Sequence, residues 1–206
     1  MRRALLLVLA AAALLLPACR EDRARAGPTP REEALLKEKA DERIERLVRE
    51  GDDVPFAGLV VFRSDVFLSQ SAMLESRDLA VLDTFGKAAV IRLSARDIPA
   101  IVAEPSVRKV RYLCRQGPLA RLHPAFLMEL LLRFSEDREN EPISLLVRFR
   151  GPAGADEAKT LQAAGFAVTS IAGAVATLSG PPSSLHRLLD DARIIYYEGA
   201  SKTRGM

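Results

Sequence analysis

The chain of 206 residues contains no tryptophan, and aromatic residues make up only 5% of it. Nucleic-acid bases stack on flat aromatic side chains, so we expect no nucleic-acid partner. The only two histidines, His123 and His186, lie far apart in the sequence, which predicts no metal site. The chain also lacks a glycine-rich phosphate loop and a G-x-S-x-G motif. The sequence therefore predicts a protein that is not an enzyme and that uses no cofactor.

An excess of one charge is also missing, because 30 Lys and Arg residues stand against 27 Asp and Glu residues. This near balance is weak support for an anionic partner. No apolar run reaches the roughly 20 residues that a membrane-spanning helix needs. The longest run, residues 4–16, lies at the start of the chain and has the length of a secretory signal.

Two arginines precede this run, and a Pro-Ala-Cys sequence that ends at Cys19 follows it. This arrangement resembles the lipobox signal of bacterial lipoproteins. The resemblance implies that the signal peptide 1–18 is removed, that Cys19 is acylated and that the acyl chains hold the protein on a membrane of the bacterial cell envelope. Arg20, where an aspartate would favour retention, fits transfer to the outer membrane. The alternative is an ordinary cleaved signal in which Cys19 is a coincidence.

If Cys19 carries lipid, Cys114 has no disulfide partner within the chain. Residues 110, 112 and 113 beside it are apolar or aromatic, so we expect Cys114 to be buried as a small hydrophobic residue.

Residues 19–54 are predicted to form a tether and an amphipathic helix. Thr29, Pro30 and Glu32 have the pattern of a capped helix start, and Gly51 marks the end of a helix over residues 30–50. Its apolar stripe is short for a coiled coil, so we expect the helix to lie against the following domain. A coiled-coil stalk or dimer helix is the alternative.

The order of predicted elements after this helix is β-α-β-β-α-β, and it occurs twice, in residues 55–116 and 143–199. Leu93-Ser94 aligns with Leu178-Ser179, and Tyr112 aligns with Tyr197. The sequence thus predicts the α+β class, with two tandem ferredoxin-like modules whose antiparallel sheets carry helices on one face.

The linker 117–142 between the modules holds a segment, residues 124–134, that is apolar almost all round. Such a helix is usually buried on several sides, so we expect it to pack between the two modules. Insertion into the surface of a bilayer is the alternative, although only Glu129 and Arg133 would form its polar face. Residues 200–206 are predicted to be a polar tail.

The second repeat resembles the propeptide and inhibitor domains of subtilisin-type proteases. The similar residues are the strand 145–149, the helix end 163–166, residues 176–179 and the closing strand 194–198. The resemblance implies a ferredoxin-like fold. It also implies that the segment from Glu198 to the end could enter a protease cleft, acting on a separate protease because no protease domain follows.

Candidate partner-binding residues lie on predicted strands of both modules. Arg108, Lys109 and Arg111 form a run without an acid, and with Arg92 they could make one sheet face basic. Tyr196 and Glu198 lie on the closing strand of the second repeat. The simpler interpretation of these residues is a solvated face of a half-buried sheet.

Together these features predict a non-catalytic, lipid-anchored envelope lipoprotein that binds or scaffolds another protein through a sheet face or edge strand. Its expected partners are the membrane, through Cys19, and an unknown envelope protein. The alternative function is an inhibitor or chaperone of a subtilisin-like serine protease, acting through the second module and the tail.

Overall fold

A computed structural model describes residues 28–66, 68–115 and 117–200 of the chain. The helices are α1 Pro30–Lys39, α2 Glu42–Glu50, α3 Leu68–Glu75, α4 Ile98–Ala103, α5 Pro124–Ser135, α6 Ala155–Ala163 and α7 His186–Leu189. The strands are β1 Phe56–Phe62, β2 Val81–Phe85, β3 Ala88–Leu93, β4 Val107–Arg115, β5 Ile143–Phe149, β6 Ala167–Ala172, β7 Val175–Gly180 and β8 Ile194–Gly199. None of the helices in these ranges is long and apolar enough to cross a membrane.

The strands form two four-stranded sheets, one from each repeat. The strand order is β2-β3-β1-β4 in the first sheet and β6-β7-β5-β8 in the second, and every neighbouring pair is antiparallel. Within each module the elements follow the order β-α-β-β-α-β. The predicted α+β class with two antiparallel sheets is therefore confirmed.

The first sheet is covered on both faces. All seven residues of β1 are buried, and alternate residues belong to different clusters. Val60 and Phe62 pack with Ile98 and Ile101 of α4, while Leu59 packs in the cluster that contains α5. A strand that is apolar on both sides needs cover on both sides, and β1 has it.

The second sheet is covered on one face. Along β5 the buried residues alternate with more exposed ones, which is the pattern of a half-buried strand. Leu145 and Val147 belong to the same cluster as Leu161 of α6 and Leu188 of α7. The opposite face of this sheet carries the residues that alternate with them.

Helix α5 contacts β1, β2 and β3 of the first module and β8 of the second. It begins with Pro124 at the first helical position, and the Nδ1 atom of His123 accepts a hydrogen bond from the backbone N–H of Ala125 at 3.3 Å. Its buried side chains are Phe126, Leu130, Leu131, Phe134 and Ser135. One hydrophobic cluster therefore runs from the first sheet through α5 into the second module.

The segment before the first module differs from the single predicted helix over residues 30–50. Two helices are present, because Ala40 adopts an extended conformation and Asp41 caps the second helix through a hydrogen bond from the N–H of Ile44 at 2.9 Å. The extended Ala40 forms a parallel bridge with Val110 of β4. Pairing with a sheet edge thus takes the place of one turn of helix.

We expect the two neighbouring leucines Leu131 and Leu132 of α5 to differ sharply in their effect on stability. Leu131 is fully buried and Leu132 is 37% exposed. Leu131→Ala should lower the free energy of unfolding by about 2–5 kcal/mol, because it leaves a cavity in the shared cluster. Leu132→Ala should lower it by about 1 kcal/mol or less. Urea denaturation of both variants provides the measurement, and equal losses would contradict the packing described for α5.

Candidate functional site

Arg108 and Lys109 of β4 are occupied by ion pairs within the chain. Arg108 contacts the carboxylate of Asp137, and the Nζ atom of Lys109 donates to Asp137 at 2.6 Å and to Glu139 at 2.7 Å. Both acids lie in the loop that follows α5. The hydrogen bond from Lys109 holds the pKa of the Asp137 carboxyl below its ordinary value, and the bond from Arg108 acts in the same direction.

Glu139 extends this network to the second module. It is 6% exposed, and its backbone carbonyl accepts a hydrogen bond from the N–H of Ser183 at 2.9 Å. Among the described residues, the buried Oε2 atom of Glu139 and the buried Nε atom of Arg108 have no hydrogen-bond partner. The loop therefore neutralises cations of the first module and contacts the second module at the same place.

Arg111 and Arg92, the other predicted cations, lie apart from this network. The Nη1 atom of Arg111 donates to the carbonyl of Lys39 at 3.0 Å, which joins β4 to the end of α1. Arg92 is exposed on β3, opposite Ala57 of β1. The structure thus brings Arg108 and Lys109 together with acids, and it places Arg111 and Arg92 in different surroundings.

A second junction between the modules is built around Asp190, which follows α7. Its Oδ2 atom accepts hydrogen bonds from Nη2 of Arg43 at 2.7 Å and from the hydroxyl of Tyr112 at 2.8 Å. Its Oδ1 atom accepts a hydrogen bond from the backbone N–H of Arg115 at 2.7 Å. One carboxylate of the second module therefore holds β4 of the first module and α2 of the segment that precedes it.

The aromatic ring of Tyr112 completes this junction. The guanidinium carbon of Arg43 lies 3.8 Å from the ring centroid, and the ring of Phe56 stacks on it with centroids 5.2 Å apart. Burial raises the pKa of the Tyr112 phenol, and the hydrogen bond to Asp190 raises it further. The phenol therefore stays protonated and remains a donor to the carboxylate.

A small cleft lies beside the junction, between β4, α5 and the segment 182–186. Its volume is about 130 Å³, and Arg111, Phe134 and His186 are among the residues that line it. Pockets for drug-sized ligands measure about 300–1,000 Å³, so this cleft has room only for a few waters or a very small molecule. The Nδ1 atom of His186 lies 2.8 Å from the carbonyl oxygen of Ser183.

Cys114 has the predicted burial. Its side chain has no exposed surface, and it forms no disulfide. Desolvation by burial raises the pKa of its thiol to about 12, so the reactive thiolate is scarce near neutral pH. Within the described ranges, no group of three histidine, cysteine, aspartate or glutamate side chains could hold a metal ion.

Tyr196 and Glu198 lie side by side on the open face of the second sheet. Across the β5–β8 pair, Arg148 is opposite Tyr196 and Leu146 is opposite Glu198, so all four side chains share one face. This group of four residues is called the open-face group below. All of its members are partly or fully exposed, and the ring of Tyr196 meets that of His123 edge-on with centroids 6.4 Å apart.

Sequence reasoning missed both Asp190 and the acids of the loop after α5. The signal for the loop was present, because its acidic residues follow a buried helix and complement the basic run of β4. The alternation of apolar and polar residues along β5 also indicates that Arg148 lies on the exposed face of the sheet. Asp190 had no such signal, because its partners lie in two distant segments. Cys19 and residues 201–206 lie outside the described residues.

Searches against protein-family models, curated proteins and solved structures found no match to this chain.

We expect Asp190→Ala to weaken the attachment of the second module. The substitution leaves the Tyr112 hydroxyl and the Arg115 N–H without their acceptor, which should lower the free energy of unfolding by about 2–3 kcal/mol. Asp156→Ala is the matched control, because the Asp156 side chain is 90% exposed and its loss should change stability by about 0.5 kcal/mol or less. Chemical denaturation compares them, and equal stabilities would contradict the role of this junction.

The Tyr112 phenol also predicts how stability depends on pH. A phenol whose pKa is raised on folding contributes stability fully below its unfolded value of about 10, and that contribution is lost as the pH rises further. Tyr112→Phe cannot ionise, so its free energy of unfolding should fall less steeply than that of the wild type between about pH 10 and pH 12. Urea denaturation at several pH values measures the slopes, and parallel slopes would argue against a protonated buried phenol.

Proposed function

We propose that this chain is a non-catalytic, lipid-anchored envelope lipoprotein that binds a partner protein through the open face of its second sheet. Each module is proposed to be ferredoxin-like, which is supported by the β-α-β-β-α-β order and the central position of the first strand in each sheet. The anchor is the acylated Cys19 that the lipobox resemblance implies. The membrane is the outer membrane of a bacterial envelope.

The observation that carries this proposal is the unequal cover of the two sheets. The face of the first sheet that lies opposite its own helices is covered by α5. In the second sheet the equivalent face carries the open-face group of Leu146, Arg148, Tyr196 and Glu198. Tyrosine and arginine are enriched in protein-binding surfaces, so this mixed apolar and charged group suits a protein partner.

The internal ion pairs also favour this face over the basic run of β4. Arg108 and Lys109 already have carboxylate partners, and an outside anion would have to displace them. Arg148 contributes a cation on the open face. We therefore assign partner binding to Tyr196, Glu198 and their neighbours in the second sheet.

Photo-crosslinking in the envelope tests the proposal. A photoreactive residue placed at Tyr196 should give a single discrete adduct with an envelope protein, and Arg148→Glu should abolish that adduct by reversing the charge beside it. The same probe at Lys159, which is 77% exposed on helix α6, should give none. In Cys19→Ala the acylated mass and the membrane-bound fraction should both disappear.

Three outcomes would overturn the proposal. An unmodified, soluble wild type would remove the lipid anchor. Equal adducts from positions 196 and 159 would show that contact is not specific to the open face. Failure to form any adduct from position 196 in the membrane-bound protein would remove the binding role of this face.

A second candidate is inhibition or chaperoning of a subtilisin-like protease. It is supported by the exit of the chain from β8, where the N–H of Ala200 continues the ladder by donating to the carbonyl of Ser144 at 2.9 Å. In this second function the residues after Ala200 would enter the protease cleft. If the adduct from position 196 is a serine protease whose inhibition requires residues 201–206, this second function replaces the first.

A further inference from the structure

The two sheets have four outer edges, and two of them are covered by other segments. At β4, Ala40 bridges Val110, and the carboxylate of Asp41 accepts a hydrogen bond from the N–H of Tyr112 at 2.6 Å. At β8, Leu122 bridges Tyr197, whose carbonyl accepts a hydrogen bond from the N–H of His123 at 2.9 Å. These edges are therefore closed to an added strand.

The edge at β2 is protected by a charge. Asp83 lies in the middle of this strand, and its side chain accepts a hydrogen bond from the N–H of Thr84 at 2.8 Å. The carboxylate thus occupies a backbone donor of the edge. Proteins commonly use charged residues on edge strands to prevent unwanted pairing.

The edge at β6 has neither kind of protection. Its sequence, Ala-Val-Thr-Ser-Ile-Ala, contains no charged residue and no proline, and all six residues are exposed or only partly buried. Within the described part of the chain, no hydrogen bond from another segment reaches β6 outside its ladder with β7. The strand therefore presents free backbone groups to an incoming strand.

The sequence of β6 is nearly symmetric about its centre. Read in either direction it gives a small residue, a β-branched residue, two hydroxyl residues, a β-branched residue and a small residue. We propose that β6 pairs antiparallel with β6 of a second copy of this chain. In that register Ala167 lies opposite Ala172 of the second copy, Val168 opposite Ile171, and Thr169 opposite Ser170.

The faces of the side chains agree with this register. A bulge between Val168 and Ser170 places Val168 opposite Leu178 and Ile171 opposite Ala176, and both of these β7 residues are fully buried. Val168 and Ile171 therefore lie on the same, helix-covered side of the sheet, where they pack against the shared cluster. Ala167 and Ala172 both lie on the open side, so the Val168–Ile171 pair and the Ala167–Ala172 pair each bring together side chains of one face.

Charge explains why a second copy fits β6 and not β2. An antiparallel pair of β2 strands centred on Asp83 would place two like charges opposite each other, which is destabilising. Pairing at β6 brings together uncharged strands, with cross-strand β-branched and hydroxyl pairs that are favourable. The adjacent helix α6 carries exposed charges of both signs, Lys159 and Asp156, which lie 3.6 Å apart. Both β2 and β6 contain a bulge, so a bulge does not distinguish the two edges. The charge of Asp83 on β2 does.

The dimer has a functional consequence. Its two-fold axis is perpendicular to the sheet, so the two second-module sheets join into one of eight strands with both open faces on the same side. Two open-face groups would then point in one direction. A single strand pair is a small interface, which is expected to be weak in solution. Tethering two copies to one membrane would raise their effective concentration and favour pairing.

The first arm of the test compares two threonine-to-lysine variants of the full chain. In analytical ultracentrifugation, the wild type should form dimers between about 10 µM and 1 mM, the range of a weak interface. Thr169→Lys should remain monomeric, because it places two cations near the two-fold axis. Thr84→Lys, at an exposed threonine of β2, should dimerise as the wild type does. Circular dichroism should show that both variants are folded.

The second arm tests the register. A mixture of the Ala167→Cys and Ala172→Cys proteins should form a disulfide that joins position 167 to position 172, identified by mass spectrometry, while each protein alone should form far less. A monomeric wild type, a dimeric Thr169→Lys or equal crosslinking in the unmixed proteins would overturn the proposal. Thr169→Lys leaves Tyr196 unchanged, so a loss of dimers can be distinguished from a loss of partner binding.

Discussion

The rest of the structure depends on the need to cover the first sheet on both faces. β1 is Phe-Ala-Gly-Leu-Val-Val-Phe, and leaving its Phe, Leu and Val side chains in water would cost about 1.5–3 kcal/mol each. The helices of the first module cover one face, and only an additional apolar element can cover the other. Helix α5 does so. Only a short loop separates α5 from β5, so the packing of α5 on the first sheet holds the second module beside the first.

Electrostatic contacts then fix the position of the second module relative to the first, which hydrophobic burial alone defines only approximately. Hydrophobic contact is non-directional, so α5 alone would allow the second module to slide or rotate. Asp190 and Glu139 supply directional contacts at two separate places. Asp190 of the second module bonds to Arg43 and Tyr112, and Glu139 of the linker bonds to Lys109 of the first module and Ser183 of the second. The cations of β4 therefore serve assembly, which accounts for a basic run in a chain with almost balanced charge.

Local sequence patterns predicted much of the fold because they act over short distances. The capped helix start at Thr29 and Glu32, the apolar surface of the segment 124–134 and the apolar surroundings of Cys114 are all set by near neighbours. The break at Ala40 depends instead on the free edge of β4, which is distant in sequence. The same is true of Asp190, whose partners Arg43 and Tyr112 lie 147 and 78 residues away from it in the sequence.

The candidate surfaces follow from what this assembly leaves uncovered. In the sequence, the basic run of β4 is a candidate binding site. Arg108 and Lys109 of this run form ion pairs within the chain, so a partner would have to displace those carboxylates. The open-face group and the edge of β6 lie on parts of the second sheet that α5 leaves uncovered. The two surfaces bind in different directions. A partner protein would lie on the face of the sheet, whereas the strand of a second copy would extend the sheet at its edge. One module can thus carry both interactions without competition, because neither occupies the side chains or backbone groups of the other.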